Sequence, residues 1–257
     1  MKDILASGNL AILEQVTWSR LLVALDYDGT LAPIVGDPSR ASMRPRTRDL
    51  LARLASLYEV VVISGRGHAD IRKRLEGVPV AAVVGNHGVE PHRASSPYVA
   101  EVRRWLPALQ AALQPLRGVE LENKTFSVAV HYRRSREKKR AKALILAAAA
   151  ALGDVRVIHG NQVANLLPVG APHKGIALER ERDRLGCDTA IYVGDDETDE
   201  DVFMLDQPGR LLTIRVGARR TSAADYCIAN QGAIDELLDR LIQLREQVRP
   251  LRVQRTS

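Results

Sequence analysis

An unbroken apolar run from Leu21 to Leu25 ends in Asp26 and is followed by Tyr27, Asp28, Gly29, Thr30 and Leu31. A continuous apolar run of this length, closed by a turn residue, predicts a strand buried on both faces of a parallel sheet. Similar runs at Val60–Ile63, Val80–Val84 and Ala190–Val193 also end in polar residues. Between the first two strands, Pro33, Gly36, Asp37 and Pro38 make a loop, and Pro45 opens a helix carrying Leu50, Leu51, Leu54 and Leu57. Strand, helix, strand is a βαβ unit and implies parallel pairing. Asp3–Ser19 reads as a short amphipathic helix leading into the first strand, and Ile176–Leu185 as the helix before Ala190.

From about Pro91 the texture changes. Arg93–Pro97 reads as a loop and Val99–Leu116 as a helix. Glu120–Tyr132 reads as one alternating strand with Phe126, Val128, Val130 and Tyr132 on one side. Alternation predicts a half-exposed strand of an antiparallel sheet. A second helix, Arg136–Leu152, and a strand pair around Val155–Ile158 and Val163–Leu167 complete this part. The expected fold is α/β: a doubly wound, Rossmann-like parallel-sheet core from residues 1–90 and 169–257, with a smaller α+β domain inserted at 91–168.

A chain of 257 residues is long enough for one core and a smaller domain. Its formal charge of +6 favours anionic partners, phosphorylated metabolites and nucleic acid alike. Aromatic residues make up only 4%, which weighs against stacking on unpaired bases. The basic segment Arg133–Lys142 and the C-terminal Arg245, Arg249, Arg252 and Arg255 read as a solvated helix face and a fraying tail, with a nucleic-acid-binding module as the alternative. Cys187 and Cys227 are the only cysteines, which excludes a disulfide framework and suits a reducing compartment. The N-terminus lacks the basic-then-apolar form of a secretory signal, and the longest apolar run, Ala143–Leu152, is too short to span a bilayer. A cytoplasmic protein with no membrane partner is expected.

Candidate chemistry gathers at the strand ends. Ligands of open α/β sheets bind beyond the carboxyl ends of the strands, where Asp26 and Asp28 fall. If the extended backbone continues, alternation throws both carboxylates to one side. Such a pair repels unless a cation or proton lies between, which suggests Mg²⁺ on hard oxygen ligands or one acid kept protonated. A plain polar turn is the alternative. Ser64-Gly65-Arg66 follows the second strand and offers a hydroxyl and N–H groups suited to phosphate, although a bare tripeptide also suits an ordinary helix start. Gly85–Glu90 makes a further polar turn, and Pro172-His173-Lys174-Gly175 precedes a helix. In Gly194–Asp201 every residue except Gly194 and Thr198 is an acid. Burying that cluster without a cation would be costly, whereas a solvated helix N-terminus would tolerate it. Its spacing excludes an EF-hand.

With these residues in view, the chain resembles the haloacid dehalogenase-like phosphatases: DYDGT, Ser64, Lys174 and GDDETDED occur in that superfamily's order and strand-end contexts. Within it the chain is most similar to the trehalose-6-phosphate phosphatases, through Gly85–Glu90, Glu122-Asn123-Lys124, His131-Tyr132-Arg133 and the form of the last motif. The resemblance implies that Asp26 attacks phosphorus and forms an aspartyl-phosphate, while Asp28 protonates the leaving oxygen and then activates water. It implies Mg²⁺ held by the Asp26 carboxylate, the Asp28 backbone carbonyl and Asp195, with Asp196 and Asp199 as ligands or supports. Lys174 and Ser64 would bind phosphoryl oxygens, and Thr30, Gly65, Arg66 and His87 join the substrate-binding set on the same ground. The inserted domain would be a cap that reads the sugar through Glu122, Lys124, Arg133 and Asn165. Glu122 and Lys124 lie two apart in an alternating strand, so both side chains face one way. One departure stands out: where the family commonly has Glu, apolar, Arg, Pro, this chain has Asn165, Leu166, Leu167 and Pro168. The implied partner is a small sugar phosphate, trehalose 6-phosphate or a glucosylglycerol or sucrose phosphate, handled by a monomer or weak homo-oligomer with no nucleic acid.

Overall fold

The apolar run Leu21–Leu25 forms a central strand, β2, of a seven-stranded parallel sheet in the computed structural model, which describes residues 1–91, 96–160 and 162–253. The other strands of this sheet are β1 (Lys2–Asp3), β3 (Glu59–Ile63), β4 (Ala82–Val84), β9 (Thr189–Gly194), β10 (Leu211–Val216) and β11 (Tyr226–Ile228). Their order is β1-β11-β10-β9-β2-β3-β4. The chain therefore steps outward from β2 through β3 to β4, then returns to the other side of β2 and continues from β9. The crevice at such a reversal is where open sheets bind ligands.

Each residue of β2 is almost wholly buried because the sheet is covered twice. Leu21, Val23 and Leu25 pack into one apolar cluster with Leu13, Leu51, Leu54, Leu237 and Leu241. These come from α1 (Leu10–Thr17), α2 (Pro45–Ala55) and α8 (Ile234–Val253). Leu22 and Ala24 face a second cluster with Ala177, Leu178, Val202 and Phe203 from α6 (Lys174–Arg184) and α7 (Glu200–Phe203). Full burial of one such leucine or valine contributes about 1.5–3 kcal/mol. Pro45 occupies the first turn of α2, where its missing N–H costs nothing. A short helix, α3 (His68–Arg74), links β3 to β4.

The chain divides into two compact units, Met1–Gly88 with Lys174–Ser257, and Val89–His173. The second holds a four-stranded antiparallel sheet of β5 (Glu120–Asn123), β6 (Val128–His131), β8 (Val163–Pro168) and β7 (Val155–Gly160), in that order. Helices α4 (Ser96–Leu113) and α5 (Lys138–Ala151) cover one of its faces. Val102, Trp105, Leu109, Ala141 and Ile145 pack there on Val128, Val130, Ala164 and Leu166.

Three expectations need correction. Glu120–Tyr132 is not one strand but a hairpin, with Lys124–Ser127 as its turn. The turn lacks glycine and proline. It is closed by Asn123, whose side chain accepts from Thr125 N at 2.8 Å, and by Lys124 N donating to Ser127 O at 3.0 Å, with Thr125 at φ 72°. At the N-terminus, Lys2–Asp3 pairs with β11 at Tyr226 and Cys227, so the helix begins only at Leu10. Arg245 is no fraying tail either: it lies within α8 with its guanidinium 4.3 Å from the centre of the Tyr58 ring. Arg255 and residues 93–95 of the expected Arg93–Pro97 loop lie outside the described residues, as do the side chains of Arg249 and Arg252. In the basic segment, Arg134 pairs with Glu120 and Arg140 with Glu137. No helix among the described residues is long and apolar enough to cross a membrane.

Candidate active site

Asp26 leaves the end of β2 with its N–H bonded to Val193 O of β9 at 2.9 Å, so the central pair of strands fixes its backbone. Its side chain is held by Lys174, the first residue of α6. The Lys174 ammonium, 1% exposed, donates to Asp26 Oδ1 at 2.9 Å and Asp199 Oδ1 at 2.7 Å. Asp199 is itself a hub. Its Oδ1 also accepts from the Tyr192 hydroxyl at 2.6 Å, and its Oδ2 accepts Asp195 N at 2.8 Å and Asp196 N at 2.9 Å. Two glycines make room for this packing: a Cβ on Gly194 would overlap the Asp199 carboxylate, and one on Gly29, at φ 83°, would overlap that of Asp195.

Three carboxylates, Asp26, Asp195 and Asp199, each bring one oxygen within 4.8 Å of the others. Lys174 is the ammonium bonded between Asp26 and Asp199, one such cation for three carboxylates. Burial raises the Asp26 carboxyl well above its usual range; Lys174 opposes this, and Asp199, Asp195 and Asp196 reinforce it. Asp195 is pushed up to about 8 by burial and by the charges of Asp199 and Asp196. Its Oδ1 is buried with no hydrogen-bond partner among the described residues. Burial lowers Lys174, but the pull of Asp199 and Asp26 outweighs it and holds the ammonium charged. Carboxylates that would otherwise retain protons, and an orphaned anionic oxygen, fit a hard divalent cation such as Mg²⁺.

Asp196, Glu197 and Glu200 of the last motif find partners nearby. Asp196 Oδ1 accepts from Thr198 N at 2.7 Å and from its hydroxyl at 2.6 Å, while Glu197 pairs with Arg219 and Glu200 with Arg215. Arg215 of β10 donates to the carbonyls of Asp195 and Asp196 as well. Tyr192 and Arg215 escaped the sequence reading. Their trace in the sequence is a polar group inside an otherwise buried strand, YVG in β9 and TIRV in β10.

Asp28 goes elsewhere than alternation implies. The strand stops at Leu25 and the chain folds into a loop, with Gly29 N on Ala32 O and Ala32 N on Tyr27 O. The Asp28 side chain, 38% exposed, lies outside the carboxylate trio and is gripped by Arg66, with Nε on Oδ2 at 2.6 Å and Nη2 on Oδ1 at 2.7 Å. Arg66 also reaches Asp70 at 2.9 Å and Pro38 O at 2.8 Å. Ser64 is buried, and its Oγ accepts Arg66 N at 3.2 Å. The turn holding His87, at φ 57°, interlocks with this segment: His87 N donates to Ser64 O, Asn86 N donates to Arg66 O, and a Cβ on Gly65 would strike the His87 ring. Thr30 is fully buried, and Gln231 Nε2 bonds both its carbonyl and that of Leu31.

In the second unit, Glu122, Ala129, Asn165 and Ile158 form one cross-strand row over β5, β6, β8 and β7. Neighbouring residues Val128, Val130, Ala164 and Leu166 face the helices, so this row lies on the sheet's other face. Glu122 Oε2 meets His131 Nε2 at 2.8 Å. Lys124 is in the turn beyond β5 and does not share a strand face with Glu122, and Arg133 follows β6. Asn165 is 6% exposed, with Oδ1 unpartnered among the described residues.

A family model described as trehalose-phosphatase matches residues 24–224. Curated trehalose-phosphate phosphatases of Mycobacterium bovis and Mycobacterium tuberculosis are 34% identical over 249 residues, covering 90% of this chain and 63% of theirs. The one from Mycobacterium leprae is 32% identical over 261 residues, covering 92% of this chain and 61% of its own length. The chain thus spans less than two thirds of the length of these relatives. In fold it is similar to the C-terminal domain of C. albicans trehalose-6-phosphate phosphatase, with a TM-score of 0.77, 22% identity and coverage of 95% of this chain and 98% of that one. A sucrose-phosphatase from Synechocystis matches with a TM-score of 0.58 and 17% identity, over 87% of this chain and 98% of its own. With the matched segment running from β2 through the acidic motif and beyond, this chain belongs to the trehalose-phosphatase family.

Proposed function

We propose that this chain hydrolyses trehalose 6-phosphate to trehalose and phosphate, with Mg²⁺ as cofactor and an aspartyl-phosphate intermediate. The observation that carries this reading is the buried Asp26 carboxylate, held by the Lys174 ammonium at 2.9 Å, at the carboxyl end of a central parallel strand. Asp26 is the nucleophile: an anion stripped of water, whose attack on phosphorus splits one hard hydrolysis into two easier displacements. Lys174 fixes its orientation and offsets charge on the phosphoryl group. Asp28, once released from the Arg66 fork, protonates the departing sugar oxygen and then takes a proton from the attacking water. Ser64 and Lys174 bind the remaining phosphoryl oxygens, with Thr30, Gly65, Arg66 and His87 completing the substrate-binding set.

Asp26, the Asp28 carbonyl and Asp195 would hold the metal, which when bound supplies positive charge that reduces repulsion between carboxylate and phosphate. Asp199, with two donors on each oxygen, acts from behind by holding the Asp195–Asp196 backbone and Lys174. Residues 91–168, inserted in sequence between 1–90 and 169–257, act as a cap that excludes water and reads the sugar through Glu122, Lys124, Arg133 and Asn165.

Asn165 and Leu167 favour a second reading, a different sugar phosphate, since the amide and the leucine leave the expected acid and cation unfilled. Phosphate release from trehalose 6-phosphate, sucrose 6-phosphate and glucosylglycerol phosphate, each with Mg²⁺ and with a chelator, separates the two. The highest kcat/KM is expected for trehalose 6-phosphate, with loss of turnover in chelator. Preference for either other ester would overturn the substrate, and turnover unaffected by chelator would overturn the metal.

A further inference from the structure

We infer that Arg215 is a positioning residue for the Mg²⁺ site, an inference that rests on the metal reading above. Arg215 lies in β10 opposite Gly194 of β9, and it is 5% exposed. Its guanidinium donates through Nη2 to Asp195 O and through Nη1 to Asp196 O at 3.3 Å and Glu200 Oε1 at 3.0 Å. Asp199 accepts the N–H groups of the same two residues. The Asp195–Asp196 backbone is thus gripped on both edges, its carbonyls by Arg215 and its amides by Asp199. That grip sets where the Asp195 carboxylate stands, packed against the open side of Gly29 and near Asp26.

An aliphatic residue at 215 would suit a buried strand but would leave the two carbonyls without these donors. A lysine would keep the charge but lacks the planar fork that spans two carbonyls and a carboxylate together. Because Glu200 is paired with the guanidinium, Arg215 adds little net repulsion toward a bound cation. Its effect on the metal runs through Asp195: removing it lets that carboxylate drift and weakens Mg²⁺ binding.

The test is calorimetric titration of Mg²⁺ into the metal-free full chain, with thermal melts in chelator as the folding control. Arg215→Met should raise the Mg²⁺ dissociation constant about tenfold, the scale on which groups behind metal ligands act. Arg215→Lys should fall between it and wild type, and carries the test if the methionine variant does not fold. Arg182→Met, which removes another buried arginine whose guanidinium bonds Gln207 instead, should lower the melting temperature and leave Mg²⁺ affinity unchanged. Wild-type affinity in folded Arg215→Met or Arg215→Lys overturns the inference, as does an equal loss in Arg182→Met. Absence of Mg²⁺ binding by the wild type is a different result, and overturns the metal reading itself.

Discussion

At the carboxyl edge of the parallel sheet, Asp26, Lys174, Tyr192 and Asp199 are buried and share one network of charged hydrogen bonds. On the four-stranded sheet, Glu122 meets His131 and Glu120 meets Arg134 in contact with solvent. Similar distances carry different energies in the two places. Removing one partner of a buried pair strands a charge where water cannot reach it and costs about 3–5 kcal/mol. Removing one partner of an exposed pair costs about 0–1 kcal/mol, because water takes its place. The first region therefore holds its geometry before any substrate arrives. The second leaves its groups within reach of water.

The largest expected effect is at Asp26. Asp26→Asn keeps the shape and an acceptor for Lys174 but removes the attacking charge, so phosphate release should fall at least about a thousandfold with the fold intact. Next is Lys174→Met, which leaves Asp26 and Asp199 without their shared ammonium. Chemical denaturation should show a loss of about 3–5 kcal/mol, and a variant as stable as wild type would show that the two carboxylates are relieved by another group. Smaller is Glu122→Ala, expected to cut kcat/KM for trehalose 6-phosphate by about tenfold, roughly 1.4 kcal/mol, while sparing p-nitrophenyl phosphate, which has no sugar. Parallel losses on both substrates, or none, would remove Glu122 from sugar reading. Smallest is Arg134→Ala: stability should change by less than about 1 kcal/mol and turnover not at all. A larger fall would mean that the Glu120 pair is not the solvated contact described here.

The same contrast explains what the sequence made legible. Strands β2, β3 and β9 were readable because parallel strands covered on both faces must be continuously apolar, and their polar ends marked Asp26, Ser64 and Asp195. The hairpin went unread although Glu122–Thr125 is a run of four polar residues, because its turn is closed by an asparagine side chain rather than by glycine or proline. Lys2–Asp3 carries no apolar pattern, so its pairing with β11 left no periodic trace. Arg66 was legible as a basic residue at a strand end. That its fork closes on Asp28 depends on how β2 and β3 sit side by side, which spacing alone does not specify. Tyr192 and Arg215 show how polar groups inside buried strands can be found: each needs a partner, and here each partner lies in the acidic loop.

The central claim, that a buried and prearranged Asp26 carries the phosphoryl group, is tested most directly by acid quench during turnover of trehalose 6-phosphate with Mg²⁺, followed by peptide mapping. A phosphoryl group on the peptide containing Asp26 is expected in wild type, and none in Asp26→Asn or in chelator. A phosphoryl group on another residue, or full turnover by Asp26→Asn, would contradict the account.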